Sequence, residues 1–131
     1  MDRLFLDANV LFSAAYREDS GLLRIWELED VELVSSAYAF EEARRNLDTE
    51  DRLGRLEELV RHLRIVLESA LDLPDGVELP AKDVPILQAA IAAEASHLIT
   101  GDRKDFGPYF GHKLAGVSIM TPRAYLITRE R

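Results

Sequence analysis

Cysteine is missing from all 131 residues, which excludes a disulfide framework, thiolate zinc sites and a cysteine nucleophile, and fits a reducing cytoplasm. Long hydrophobic runs are missing too. No stretch approaches the roughly 18 apolar residues of a membrane span. The opening MDRLFLDANV lacks the basic n-region, long h-region and small-residue cleavage site of a secretory signal. A cytoplasmic protein with no membrane partner is therefore expected. Proline and glycine are scarce, at 5 and 7 residues, and with 47% hydrophobic and 31% charged residues they argue against a disordered or fibrous chain. The length suits one domain spanning residues 1–131. Also absent are G-x-S-x-G, the phosphate-cradling G-x-x-x-x-G-K-[ST] and G-x-G-x-x-G, so the corresponding hydrolase, nucleotide and dinucleotide sites have no sequence support.

Positive charge is in short supply. Sixteen Lys and Arg face 24 Asp and Glu, for a net charge of −8, a balance that opposes nonspecific binding to nucleic acid. Acids gathered around divalent cations would give the same balance and still serve phosphodiester chemistry. The location of the acids decides between these readings.

Apolar patterning supplies a frame. Leu4 to Leu6 form a short continuous apolar run typical of a strand covered on both faces, and Val10, Leu11, Ala14 and Ala15 then follow helical spacing. Residues 20–29 carry apolar positions at mixed helical spacing, and VELVS reads as a second strand. Ala39, Ala43 and Leu47 lie four apart after Ser36, a suitable N-cap. Leu53, Leu56, Val60 and Leu63 line one face of an amphipathic helix over 52–63. RIVLE reads as a third strand, and residues 68–82 lack any period and form the long connection. VPILQAAIAAEA reads as a helix with Pro85 in its first turn, HLIT as a strand, and GVSIM as a strand before a helix starting near Thr121 and Pro122. Strands alternating with helices predict a three-layer α/β/α sandwich with a mainly parallel central sheet.

Sites in such sheets lie beyond the carboxyl ends of the strands. Asp7 directly follows the first strand, and Asp102 follows HLIT and one glycine. Asp83 opens the VPILQAA helix, and Glu42 lies near the first turns of the helix after the second strand. Each acid has an ordinary explanation of its own: Asp7 and Asp83 as helix caps, Glu42 as a solvated residue paired with a neighbouring turn, Asp102 as a turn residue and Asp105 as a local cap. Those explanations leave unexplained why the acids recur at one predicted edge. Two unit charges about 5 Å apart at an effective dielectric near 20 repel by about 3 kcal/mol, so clustered carboxylates call for a counter-charge. Hard oxygen donors point to Mg²⁺ or Mn²⁺. Zinc is disfavoured, because His62, His97 and His112 show no ligand spacing and read as structural or surface residues. Divalent ions held by aspartates suit in-line hydrolysis at phosphorus.

The stretches FLDANVLFSA, SAYAFEEARRNL, KDVPILQAAIAAEASHLITGDRKDF and GVSIMTPRAYL together resemble the PIN-domain nuclease family, particularly small bacterial and archaeal members that look like VapC-type toxin ribonucleases. The resemblance implies that Asp7, Glu42, Asp83 and Asp102 are the metal-binding catalytic acids. Asn9 and Thr100 would be supporting polar residues and Asp105 a further acid. Glu41 competes with Glu42 for the second position. The resemblance further implies an α/β/α sandwich, dependence on Mg²⁺ or Mn²⁺, single-stranded or structured RNA as substrate, a homodimer, and a cognate antitoxin if the chain is the toxin of a toxin-antitoxin pair.

Arg44, Arg45, Arg103 and Lys104 flank the proposed acids and are the candidates for guiding a phosphate backbone. Arg52, Arg55, Arg61 and Arg64 read instead as a salt-laced helical face. Trp26 sits among leucines and reads as core or a dimer surface, although it and Tyr38 have rings able to stack on bases. Two alternatives stand beside the nuclease. A phosphoacceptor signalling domain would need an aspartate at a middle strand's end and a late lysine, which VELVSS, RIVLES and VSIMTP do not offer. A catalytically silent PIN-like interaction module is the other.

Overall fold

The apolar run before Asp7 becomes the middle of a six-stranded sheet in the computed structural model, which describes residues 1–130. The strands are β1 (Asp2–Leu6), β2 (Val31–Ser36), β3 (Arg64–Val66), β4 (His97–Ile99), β5 (Lys113–Leu114) and β6 (Val117–Met120), in the spatial order β3-β2-β1-β4-β6-β5. Every neighbouring pair is parallel except β5 with β6. Leu4, Phe5, Leu6, Leu98, Ile99 and Ile119 are fully buried at the centre, as expected of strands sheltered on both faces.

The helices are α1 (Ala8–Tyr16), α2 (Ala37–Asn46), α3 (Glu50–Val60), α4 (Val84–Ala92) and α5 (Pro122–Arg129). The chain steps outward from β1 to β2 to β3 and then returns past β1 to β4. Right-handed crossovers therefore send α1 to α3 to one face and α4 to the other. The result is the three-layer α/β/α sandwich expected from the alternation of elements. Because the direction of winding reverses between β1 and β4, a crevice opens beyond their carboxyl ends.

Local chemistry sets the element ends. The hydroxyls of Ser36, Thr49 and Thr121 accept hydrogen bonds from the amides of Ala39, Arg52 and Ala124 and so cap α2, α3 and α5. Several details depart from the sequence expectations, among them an α3 that runs Glu50–Val60 rather than 52–63 and a β3 that covers only Arg64–Val66 of RIVLE. The helical spacing over 20–29 yields only a 3₁₀ helix, Gly21–Ile25, capped by Ser20. Helix α4 stops at Ala92, short of the expected 95, because Glu94 turns left-handed at φ 56°. The Glu94 and Ala95 amides then donate to the Ile91 and Ala90 carbonyls, closing a Schellman motif without the usual glycine. The short strand β5 was not anticipated. It pairs with β6 through Ala115 and Gly116, both at positive φ, a two-residue hairpin turn whose first position more often carries asparagine, aspartate or glycine.

Candidate metal centre

Asp7 emerges where β1 ends and is held from several directions. Its backbone amide donates to the Ile99 carbonyl at 3.0 Å, stitching the residue to the neighbouring strand β4. One carboxylate oxygen accepts from the Ala8 amide at 2.7 Å, so the expected cap at the start of α1 is present. The other oxygen accepts from the Thr100 hydroxyl at 2.8 Å and the Asn9 side-chain amide at 3.1 Å. Asn9 also donates to Thr100 Oγ1 at 3.2 Å and accepts from the Gly101 amide at 2.8 Å. Asn9 and Thr100 thereby lock the Asp7 carboxylate to the turn that carries Asp102. A Cβ on Gly101 would lie 3.4 Å from Asn9 Oδ1, which suits the smallest residue at that close approach.

Glu42 on α2, Asp83 at the head of α4 and Asp102 after β4 join Asp7 around one cavity of about 620 Å³, whose polar lining also includes Asn9 and Lys82. Four acids from four separate stretches of chain share this crevice. Of the two α2 glutamates, Glu42 lines the cavity and Glu41 is tied to Arg44 in an ion pair on the helix surface. Asp83 makes no capping bond to α4. Its carboxylate faces the cavity instead. Asp102 keeps the expected turn role, accepting from the Asp105 amide at 3.0 Å. Carboxylate oxygens of Asp83, Asp102 and Asp105 lie within 4.8 Å of one another.

Lys82 is the residue that sequence reasoning passed over. Its ammonium donates to both oxygens of Asp83 at 3.2 and 3.0 Å and to Asp105 at 3.0 Å, and stands 3.9 Å from Asp102. The Tyr38 hydroxyl donates to the Lys82 carbonyl at 2.7 Å and fixes the base of the side chain. A lysine beside an aspartate reads as a solvated pair in sequence. The only local signal was the dipeptide Lys82-Asp83 at the head of a helix, and Asp105 arrives from 23 residues away.

The electrostatics follow from this arrangement. Burial pushes Asp7 up to about 6, against the opposing bonds from Thr100 and the Ala8 amide, with Asp83 and Glu42 adding repulsion. Burial likewise raises Asp83 to about 6, and the Lys82 bond only partly offsets it. Asp105 is held below the usual carboxylate range, first by its bond from Lys82, and Lys82 is raised in return by Asp105 and Asp83. Asp83, Asp102 and Asp105 fit a hard divalent cation such as Mg²⁺ or Mn²⁺, because their carboxylate oxygens lie within 4.8 Å of one another and a positive group already draws them together, while Asp7 and Glu42 line the same cavity outside that close group.

Other predicted residues fall outside the crevice. Arg45, Arg103 and Lys104 are exposed, whereas the Arg44 guanidinium is held by Glu41. Arg61 pairs with Glu58 and Arg64 with Glu32, as a salt-laced surface would. Arg52 and Arg55 do more, donating to the Tyr16 and Ala15 carbonyls that end α1. Trp26 packs at the core margin and donates from Nε1 to the Leu59 carbonyl at 3.0 Å. His62 and His112 are exposed, while half-buried His97 packs edge-on against Tyr125.

Residues 3–104 match the family model of the PIN domain. No curated protein sequence matches the chain. Among solved structures, the fold is similar to that of VapBC2 from Rickettsia felis bound to a DNA fragment from their promoter, with a TM-score of 0.67 and 18% identity over 91% of this chain and 98% of that one. It is also similar to FitAB bound to an IR36 DNA fragment, with a TM-score of 0.58 and 21% identity over 91% and 94% of the two chains. VapBC-1 from nontypeable Haemophilus influenzae gives a TM-score of 0.59 and 15% identity over 92% and 98%. At these identities the likeness is one of fold.

Proposed function

The chain belongs to the PIN-domain family, and from that premise we propose that it is a metal-dependent endoribonuclease acting as the toxin of a toxin-antitoxin pair. One observation carries the reading: Asp7, Glu42, Asp83 and Asp102, from distant parts of the chain, line a single cavity beyond the sheet's carboxyl edge. Family membership gives the phosphoacceptor alternative no support. The paired names of the similar structures, two of them with DNA, support a cognate antitoxin as partner. A homodimer and RNA as substrate rest on the resemblance to VapC-type toxins.

Asp7, Glu42, Asp83 and Asp102 would hold Mg²⁺ or Mn²⁺, with Asp105 beside them. When bound, such ions supply charge that activates a water for attack at phosphorus and offsets the negative charge on the leaving oxygen. The residues of the chain prepare that chemistry by position. Asn9 and Thr100 fix the rotamer of Asp7 through one carboxylate oxygen, so that little reorganisation accompanies ligand capture. Phe12, Leu22 and Pro122 contribute apolar wall to the crevice, which keeps the local dielectric low and strengthens the interaction of the acids with a cation. Arg45, Arg103 and Lys104 stand exposed and supply the local positive charge that a phosphate backbone needs despite the net −8.

Incubating purified protein with end-labelled RNA and Mn²⁺, with and without chelator, tests the reading. The expected result is internal cleavage that the chelator abolishes. Intact RNA across single-stranded and hairpin substrates, or cleavage indifferent to chelator, would defeat it.

A further inference from the structure

The acids of the crevice are not served equally by positive charge. Asp83, Asp102 and Asp105 gather around the Lys82 ammonium, at 3.0, 3.9 and 3.0 Å. Asp7 and Glu42 enter no ion pair among the described residues, and Asp7 is satisfied by neutral donors alone. The Lys82 side chain is 59% exposed, so burial does not force its head inward; a flexible, strongly hydrated ammonium is free to extend into water. Attraction to three carboxylates holds it over them, and the bond from Tyr38 to its carbonyl sets the point from which it reaches. A single-charged group thus stands where the carboxylates of one half of the crevice converge.

We propose that the Lys82 ammonium is a resident cation of this centre, occupying the Asp83–Asp105 side, so that the protein takes up one divalent ion tightly and a second only by displacing the lysine. The inference rests on the metal-dependent reading above and sharpens it, assigning the number of ions to a residue of this chain. In the ion-free protein the ammonium offsets repulsion among the acids it touches. As the Asp7 side fills, Lys82 remains a competitor for the other half of the cluster. Removing its charge opens that half, and keeping the charge in another shape does not.

Titrating the intact chain with Mn²⁺, following heat release by calorimetry and free Mn²⁺ by electron paramagnetic resonance, measures the stoichiometry directly. Wild type is expected to bind one ion tightly and a second more weakly by on the order of tenfold or more. Lys82→Met is expected to bind two ions of similar affinity, whereas Lys82→Arg keeps the single tight ion. Two equally tight ions in wild type would overturn the proposal. So would one ion in Lys82→Met at unchanged affinity, or a loss of affinity in that variant. In each of these cases the metal-dependent reading survives. No Mn²⁺ bound by wild type would overturn that reading and this proposal together. If a circular dichroism melt shows that Lys82→Met does not fold, Lys82→Gln takes its place with the same expectation of two ions of similar affinity and the same overturning results.

Discussion

The two edges of one sheet treat charge in opposite ways. At the amino edge, Arg3 on β1 and Arg64 on β3 each approach the same oxygen of Glu32 on β2 at 3.3 Å. Arg3 also donates to the Ala93 and Glu94 carbonyls at the end of α4, where positive charge is favourable. Two cations thus bracket one acid, and the helix terminus is closed. At the carboxyl edge, Asp7, Glu42, Asp83 and Asp102 line one cavity with Asp105 nearby, and Lys82 is the cation among its lining residues. Strand register explains the amino edge, since Arg3 and Glu32 are direct partners in the β1–β2 pairing. At the other edge Lys82 pairs with Asp83 and Asp105, but among the described residues Asp7 and Glu42 enter no ion pair. An arrangement that raises two aspartates to about 6 costs stability in the ion-free protein.

The largest expected effect tests that division directly. Asp7→Asn should lower RNA cleavage by more than about 100-fold, exceeding the usual loss from a merely supporting residue, with secondary structure unchanged by circular dichroism. Glu32→Gln should leave cleavage within about twofold, because the amino edge holds charge for the fold and not for the substrate. Gel assays on both purified variants with Mn²⁺ check the contrast. Full activity in Asp7→Asn removes the carboxyl edge from the chemistry.

A smaller effect concerns pH in metal-free protein. The unfolded chain ionises Asp7 near 3.8, while the folded chain holds its proton up to about 6. Between those values the native state binds more protons than the unfolded state, so stability falls as pH rises and levels off above about 6. Asp83 acts in the same direction. Asp7→Asn removes one contribution, so its stability relative to wild type should increase by about 2 kcal/mol from pH 4 to pH 7. Urea denaturation of both proteins in chelator at several pH values measures the change. A difference that stays flat across this range would mean that Asp7 is not held protonated by its surroundings.

Much of the carboxyl edge was legible because it rests on local patterns. A three-residue apolar run followed by aspartate, and HLIT followed by glycine and aspartate, place Asp7 and Asp102 at strand ends, and parallel topology sends strand ends to one side. Ser36 and the Thr121-Pro122 pair mark helix starts through short-range hydrogen bonds that neighbouring residues encode. The illegible parts depend on tertiary context. Helix α4 ends through Glu94, which has no propensity advantage in the left-handed region, and the β5–β6 turn begins with Ala115 for the same lack of signal. Arg52 and Arg55 are periodic surface residues in sequence, yet they terminate α1 from another helix. Lys82 acquires its role only when Asp105 folds against it. The family resemblance picked Glu42 over Glu41, but that Glu42 lines the cavity follows from the rotation of α2 about its axis, which two adjacent acids do not specify.

The smallest expected effect comes from the amino edge and sharpens the contrast by what stays unchanged. Replacing Glu32 by Gln removes the negative charge between two guanidiniums while keeping the side chain's size. The Glu32 side chain is 35% exposed, but its Oε1 and the Arg3 Nε facing it are buried without a hydrogen bond, so water screens the attraction lost, and the repulsion between Arg3 and Arg64 that remains, only in part. A destabilisation of about 1 kcal/mol follows, shrinking as salt is added. The increase in melting temperature on adding Mn²⁺ should be the same in Glu32→Gln as in wild type, since Glu32 is not among the residues that line the crevice. Thermal melts with and without Mn²⁺, at low and high salt, read both quantities in one experiment. If the Mn²⁺ response diminished along with Glu32, the two edges would be coupled through β1 and β2, and charge at the amino edge would belong to the metal centre as well as to the fold.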